Sequence, residues 1–386
     1  MGTDLGERLR SVRKRSGLTQ RELADSSGVS LSLIRKIEQG ERDDTRMQTL
    51  RRLAVAMSCP LSALLGPDPR LPENGNGELW HPARQALVTT AGPQSIDPPT
   101  ERSMYESLAA AVKLYHDNEY EQLARVLPQL IADGREAPPL IRSRILQLVG
   151  SVMVQTRQLQ PARTALEQSL RDAEATGSVL DAASAVITLC WLLLVERRFE
   201  QVRTLAVSWA DRIEPRLSVA TTRELSTWGW LLLRGSAAAI RDNRPDEADD
   251  MIRLANAAAV AVKRDSGSYH QYWTTFGPAT VAMKRVENAI VDDRPDLALR
   301  LAGDVPPGLG PTSDNRNRHL LDVAAAHIEL RDYDTAFDVL TQLSREARPW
   351  LIEQRFAKDL LGRIVAKRRT LTPEMRELAD LIRLEY

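Results

Sequence analysis

Apolar residues recur at three- and four-residue spacings along most of the chain, and the segment from 101 onward carries no alternating pattern of the kind a strand needs. The expectation is an all-α protein. In residues 4–16, Leu5, Leu9 and Val12 form one stripe, with Asp4 and Glu7 at capping-box spacing. Thr19 and Glu22 repeat that spacing at the start of a second short helix whose apolar face is Leu23 and Ala24. Gly28 falls where a left-handed turn needs a residue without a Cβ, Ser30 can cap a third helix, and Gly40 can end it. Two short helices joined by such a turn make a helix-turn-helix unit.

On a wheel of about 100° per residue with Ile34 at zero, Ile37 and Glu38 fall inward. Ser32, Arg35, Lys36 and Gln39 fall on the outer side, which carries two cations, two neutral hydrogen-bonding groups and no acid. Such a face suits a major groove, where cations meet phosphate and Arg or Lys read guanine edges. Arg13 sits at the edge of the first helix's stripe, opposite the inward Glu38, so the two are expected to pair structurally rather than to touch DNA. A fourth helix over about 46–57 buries Leu50, Leu53, Ala54 and Met57. Pro60 is expected to open a short fifth helix in which Leu61, Leu64 and Leu65 close the core, and Gly66-Pro67 ends the unit.

Residues 4–65 resemble the bacteriophage-repressor-like, Xre-type helix-turn-helix regulators. The resemblance is carried by Leu9-Arg10-x-x-Arg13, Gly17-Leu18-Thr19-Gln20, Glu22-Leu23-Ala24, Gly28-Val29-Ser30, Ile34, Ile37-Glu38-x-Gly40 and Thr49-Leu50-x-x-Leu53-Ala54. It implies a five-helix, lambda-repressor-like DNA-binding domain with the third helix in the groove of double-stranded DNA. By position it implies that Gln20 contacts phosphate, that Leu31, Ser32 and Lys36 meet bases, and that Arg46 lies near the backbone. With Arg21, Ser30, Arg35, Gln39 and Arg42, these residues make up the expected DNA-binding set. Relatives often carry Gln or Arg where this chain has Leu31, and a leucine there suits a thymine methyl.

Charge agrees with that division. The 386 residues hold 52 basic and 52 acidic side chains, yet residues 1–66 hold 12 basic against 8 acidic. A modest positive excess at the DNA-reading end and an acidic remainder fit a DNA-binding protein. No signal peptide or apolar run long enough for a membrane span stands out, and Cys59 and Cys190 suggest no disulfide framework, so a cytoplasmic protein is expected. His81, His116, His270, His319 and His327 are scattered without metal-ligand spacing. Gly75-x-Gly77 lacks the strand and helix of a dinucleotide fingerprint. The chain is therefore expected to be no enzyme and to need no cofactor or metal.

Residues 67–100 are rich in Pro, Gly, Asn and Thr and read as a linker, within which residues 78–87 are less polar and expected to dock through Trp80 and Leu87. In residues 101–386 a short turn motif recurs at Glu119-Tyr120-Glu121, Gln158-Leu159-Gln160, Arg198-Phe199-Glu200, Arg244-Pro245-Asp246, Arg294-Pro295-Asp296 and Asp332-Tyr333-Asp334. Each opens a helix with a small or apolar residue near its start: Leu123, Ala162, Val202, Ala248, Ala298 and Ala336. The spacings of 39, 40, 46, 50 and 38 residues predict an α-solenoid of helix pairs. The turns look like tetratricopeptide repeats with lengthened helices, and a HEAT-like geometry remains open. A last pair from Trp350 is expected to cap the stack, with Thr372-Pro373-Glu374 starting its final helix. Trp191, Trp228 and Trp230 read as core. Tyr272 to Ala282 is similar to a stretch in actinobacterial Xre-type regulators with tetratricopeptide-like C-terminal halves.

Together these features predict a transcriptional regulator, working as a homodimer on a palindromic operator, whose repeat half senses a peptide or small-molecule effector. The alternative is a constitutive DNA binder whose repeats only dimerise or recruit a protein. The expected effector residues lie on a helix over about 269–292, kinked at Gly277-Pro278, and on its successor: Trp273, Phe276, Thr280, Lys284, Asn288, Asn315 and Arg318.

Overall fold

The computed structural model describes residues 5–42, 45–65, 78–89, 99–262, 275–307 and 313–384. Regular structure among them is helical. The N-terminal unit comprises α1 (Leu5–Arg15), α2 (Gln20–Ser27), α3 (Leu31–Glu38) and α4 (Met47–Ala56). Its core is Leu9, Leu23, Ile34, Ile37, Leu50, Leu53, Ala54 and Met57, all buried. The expected fifth helix is a single 3-10 turn, Leu61–Ala63, after Pro60; Leu61 and Leu64 still close the core. Asp4 lies outside the described residues, so the first expected capping box does too.

Within the segment read as a linker, α5 (His81–Val88) packs across α7 (Tyr120–Gly134) and α9 (Leu159–Ala175). Trp80, at the N-terminal end of α5, is fully buried, with its ring edge-on to Tyr120 at 6.3 Å. Arg135 donates to the Ala86 carbonyl at 2.6 Å, and Arg84 bonds Gln158. Leu87 packs beside this core, so the less polar island in the linker is docked as its composition suggested.

Six helix pairs follow: α6 (Glu101–His116) with α7, α8 (Pro139–Gln155) with α9, α10 (Val179–Val195) with α11 (Phe199–Arg212), α12 (Thr222–Arg241) with α13 (Pro245–Val262), α14 (Pro278–Val291) with α15 (Pro295–Gly303), and α16 (Asp314–Glu329) with α17 (Tyr333–Glu346). A short α18 (Arg348–Ile352) precedes α19 (Arg355–Val365) and α20 (Pro373–Leu381). Thr372 caps α20 by accepting from the Met375 N–H, with Pro373 at the first helical position. Each helix packs on its partner, and the first helices of successive pairs also pack on one another, from α6 through α8, α10, α12, α14 and α16 to α19.

One backbone device joins the two helices of every pair. The residue before each recurring motif has positive φ: Asn118, Arg157, Arg197, Asn243, Asp293 and Arg331, all between 57° and 65°. The next N–H then reaches back five residues, as from Gln158 to the Met153 carbonyl (2.7 Å) and from Asp332 to that of His327 (2.8 Å). This is the Schellman arrangement, which satisfies carbonyls left open at the helix end and reverses the chain. The six residues singled out at the start of the second helices, Leu123 through Ala336, are each fully buried.

Two expectations about the fifth pair change. Its first helix begins at Pro278 rather than near 269, and Gly277-Pro278 starts the helix instead of kinking it. Proline lacks an N–H, which the first turn does not need, and it steers the residue before it out of helical conformation. Residues 263–274 lie outside the described set, and Trp273 with them. Among the described residues no helix is long and apolar enough to cross a membrane, and no group of His, Cys, Asp or Glu could hold a metal.

Candidate nucleic-acid interface

The geometry of α2 and α3 follows from local chemistry. Thr19 Oγ1 accepts from the Glu22 N–H at 3.2 Å while Glu22 Oε2 accepts from the Thr19 N–H at 2.7 Å, a complete capping box. Gly28 ends α2 at φ 64°, its N–H bonded to the Ala24 carbonyl. Ser27 Oγ accepts from the Val29 N–H within that turn, and Ser30 Oγ accepts from the Leu33 N–H, capping α3.

Three contacts fix the angle of α3. Ile34 and Ile37 are buried beneath it. A Cβ on Gly6 of α1 would lie 2.3 Å from the Ile37 carbonyl oxygen, so only glycine lets α1 approach α3 this closely. Arg13 grips Glu38 with two bonds, Nε to Oε1 at 2.6 Å and Nη2 to Oε2 at 3.0 Å, and also donates to the Leu18 carbonyl at 2.8 Å. The Glu38 side chain is 3% exposed. Burial raises its pKa, but hydrogen bonds from Arg13 and Gln20 outweigh burial and hold it below the ordinary value. The hydrogen bond to Glu38 raises Arg13 in turn.

Gln20 was expected on phosphate. Its amide donates to Glu38 Oε2 at 2.7 Å, a contact that sequence spacing did not reveal because Glu38 lies on a different helix. The remaining residues of the DNA-binding set are placed as follows. Ser32, Arg35, Lys36 and Gln39 are exposed together along α3, and Leu31 is half-buried at its start. Arg21 and Ser30 are exposed beside them, as are Arg42, beyond the end of α3, and Arg46, before α4.

The opposite side of the unit is docked on the repeats. Arg51 pairs with Asp292 at 3.1 Å, the Ser62 N–H donates to Asp242 Oδ1 at 2.9 Å, and Asn243 donates to the Cys59 carbonyl at 3.4 Å. Asp242 also accepts from Arg203 at 2.9 Å, and Asp292 and Asn243 follow or lie within inter-helix turns. Burial outweighs the Arg51 charge and leaves Asp292 above its ordinary pKa, so this ion pair is only partly compensated for its lost water. Docking through α4 and the 3-10 turn leaves the outer face of α3 uncovered.

The expected effector residues separate. Phe276 is fully buried against Gly229, where a Cβ would meet the ring at 2.1 Å. Thr280 is fully buried, and Asn288 is buried and bonded to Ser236 of α12 at 2.8 Å, so neither is open to a ligand. Lys284 pairs with the buried Glu287 at 2.7 Å, and Glu287 also accepts from Arg241. Asn315 donates to Thr275 Oγ1 at 3.4 Å. Arg318 lies over the Phe356 ring and, with Asp322, lines a cavity of about 900 Å³ between the repeats and the N-terminal unit. Trp228 and Trp230 are buried as expected, whereas Trp191 is half-buried and lines that cavity.

Residues 4–62 match the family model described as "Helix-turn-helix domain". The chain is 29% identical over 87 residues to the HTH-type transcriptional regulator SutR of Escherichia coli, a match covering 22% of this chain and 46% of that protein. It is 40% identical over 60 residues to the HTH-type transcriptional repressor RghR of Bacillus subtilis, covering 16% of this chain and 44% of the relative. The chain spans less than half the length of these curated relatives. No solved structure matches it. With its capped α2, its glycine turn and its exposed α3, the N-terminal unit of this chain is a helix-turn-helix domain.

Proposed function

We propose that the chain is a sequence-specific DNA-binding transcriptional regulator whose α3 enters the major groove. The observation that carries the reading is the outer face of α3: Ser32, Arg35, Lys36 and Gln39 are exposed side by side, while Arg13, Gln20 and Glu38 hold the helix rigidly from behind. Ser32 and Lys36 meet base edges, Leu31 meets a thymine methyl, and Arg21, Arg42 and Arg46 meet phosphate. One small domain reads only a few base pairs, so two copies bind a palindrome with half-sites about 34 Å or a multiple apart. The homodimer is held by the helical repeats, which form a tetratricopeptide-like solenoid; the packing of first helix on first helix supports that architecture. The repeats also receive an effector, and no catalytic role is assigned.

The test is mapping of bound genomic DNA followed by gel-shift titration. Lys36→Ala weakens binding to the mapped operator by roughly five- to 150-fold, the cost of losing about 1–3 kcal/mol of base contact. Arg46→Ala weakens binding to all sequences alike and lowers the salt slope by about one. Unchanged operator affinity in Lys36→Ala would show that the reading face is wrongly assigned.

A further inference from the structure

The cavity of about 900 Å³ is walled on one side by α4 of the helix-turn-helix domain, through Met47, Arg51 and Val55, and on the other by first helices of the repeats. Of the eight arginines lining it among the described residues, four are held by carboxylates, and a fifth, Arg52 at its α4 side, is exposed. Arg51 pairs with Asp292, Arg318 lies 3.6 Å from Asp322, Arg363 pairs with Glu329, and Arg241 bonds Glu287. Arg157, Arg197 and Arg355 also line the cavity, and no ion pair ties any of the three to a carboxylate among the described residues. The Arg157 Nε is buried without a hydrogen-bond partner among those residues.

The three come from separate elements: the turn after α8, the turn after α10, and the start of α19. They are close enough to act on one another. Burial, then repulsion from Arg355 and Arg197, lowers the pKa of Arg157, and burial and Arg355 do the same to Arg197. Asp359 feels all three, while burial holds its carboxyl above the ordinary value; Glu353 and Asp293 also line the cavity. Arg157 and Arg197 occupy the left-handed turn position at φ 59° and 62°. Asn118, Asn243 and Asp293 fill the equivalent places with residue types that adopt this conformation more readily. Arg331 also occupies this position but does not line the cavity.

Apolar surface adjoins each arginine. Val154 precedes Arg157, Leu194 and Val195 precede Arg197, and Phe356 follows Arg355; all line the same cavity, as does Trp191. Phosphate or acetate alone would leave this wall and most of the volume unused. We propose that the cavity binds one amphipathic anion, an oxyanion head held by Arg157, Arg197 and Arg355 and an apolar body laid along Trp191, Leu194 and Phe356. The head is a carboxylate or a phosphate, since planar guanidinium groups grip either with paired hydrogen bonds. A ligand there lies against α4, so it bears directly on the contacts that fix the DNA-reading domain. The site deepens the effector part of the function proposed above and rests on that reading only for its consequence.

The probe is anilinonaphthalene sulfonate, an amphipathic anion, titrated by fluorescence into the full-length protein without DNA. One saturable site is expected, displaced by decanoate and by decyl phosphate but not by decanol; the more effective of the two acids identifies the head group. Arg157→Gln, Arg197→Gln and Arg355→Gln each weaken binding about tenfold, and Arg355→Lys restores part of it. Arg355 is exposed at the start of α19, so Arg355→Gln tests the site even where the turn variants fold poorly. Unchanged probe affinity in folded Arg355→Gln, or displacement by decanol as effective as by decanoate, would overturn the proposal. The measurement needs no operator, so it fails or succeeds separately from DNA binding, which gel shifts read.

Discussion

Glu38→Gln isolates what holds α3 in place. In the native domain the Glu38 carboxylate takes two bonds from Arg13 and one from Gln20, with the Arg13 side chain only 10% and the Glu38 side chain 3% exposed. Glutamine keeps the shape and removes the charge. It leaves the guanidinium buried beside a neutral amide and sets one amide N–H₂ against donors from Arg13 and Gln20. Breaking a buried pair from one side costs about 3–5 kcal/mol, because the surviving charge has lost both water and partner. Replacing both residues by methionine costs far less than either single change, so a double-mutant cycle separates the pair's own contribution from the penalty of an orphaned charge. All seven tryptophans lie outside residues 5–65, so intrinsic fluorescence does not report on this unit. Amide hydrogen exchange in α1 and α3 does, and should accelerate by roughly two to four orders of magnitude. The pH dependence has a definite sign. The folded pKa of Glu38 is depressed, so its contribution is fully present above the unfolded value of 4.5 and is lost as pH falls through the lower folded value. Native exchange rates in Glu38→Gln at neutral pH would refute this account of how α3 is positioned.

Trp80→Ala removes a fully buried ring from the contact of α5 with Tyr120 and should cost about 3–5 kcal/mol, read as fast amide exchange confined to α5; protection there at native levels would show that the linker island docks by other means. Gly229→Ala drives a methyl into the Phe276 ring and should cost about 1–3 kcal/mol, seen as a lower thermal midpoint, which Phe276→Leu in the same chain partly restores. Burial pushes Asp314 up to about 7, against the Tyr115 hydrogen bond that lowers it, and its Oδ1 has no partner among the described residues. The folded chain therefore holds this proton more tightly than the unfolded chain, so stability falls as pH rises from about 4 toward 7, by at most about 1.4 kcal/mol per unit. Asp314→Asn should remove that slope and stabilise the protein at pH 8 in thermal melts; an unchanged difference between pH 6 and pH 8 would count against it.

Local chemistry in the sequence was enough to place the helix-turn-helix unit. Thr19-x-x-Glu22, Gly28 and Ser30 act within a few residues of one another, and the 3.6-residue period alone divides α3 into Ile34 and Ile37 on one side and Ser32, Arg35, Lys36 and Gln39 on the other. The repeat was legible for the same reason: its turn motifs and the small residues after them are local, and those residues are all buried. Tertiary structure decided whatever depends on two distant segments meeting. Gly6 is needed because the Ile37 carbonyl lies against it, Gln20 turns to Glu38, and Ser62 and Cys59 meet Asp242 and Asn243 about 180 positions away. Face-sharing along one helix grouped Thr280, Lys284 and Asn288, but it could not say whether that face meets solvent or α12; packing took Thr280 and Asn288 inside and turned Lys284 to Glu287. Likewise Arg157, Arg197 and Arg355 share no sequence pattern, and only the closure of first helix on first helix brings their charges to one cavity.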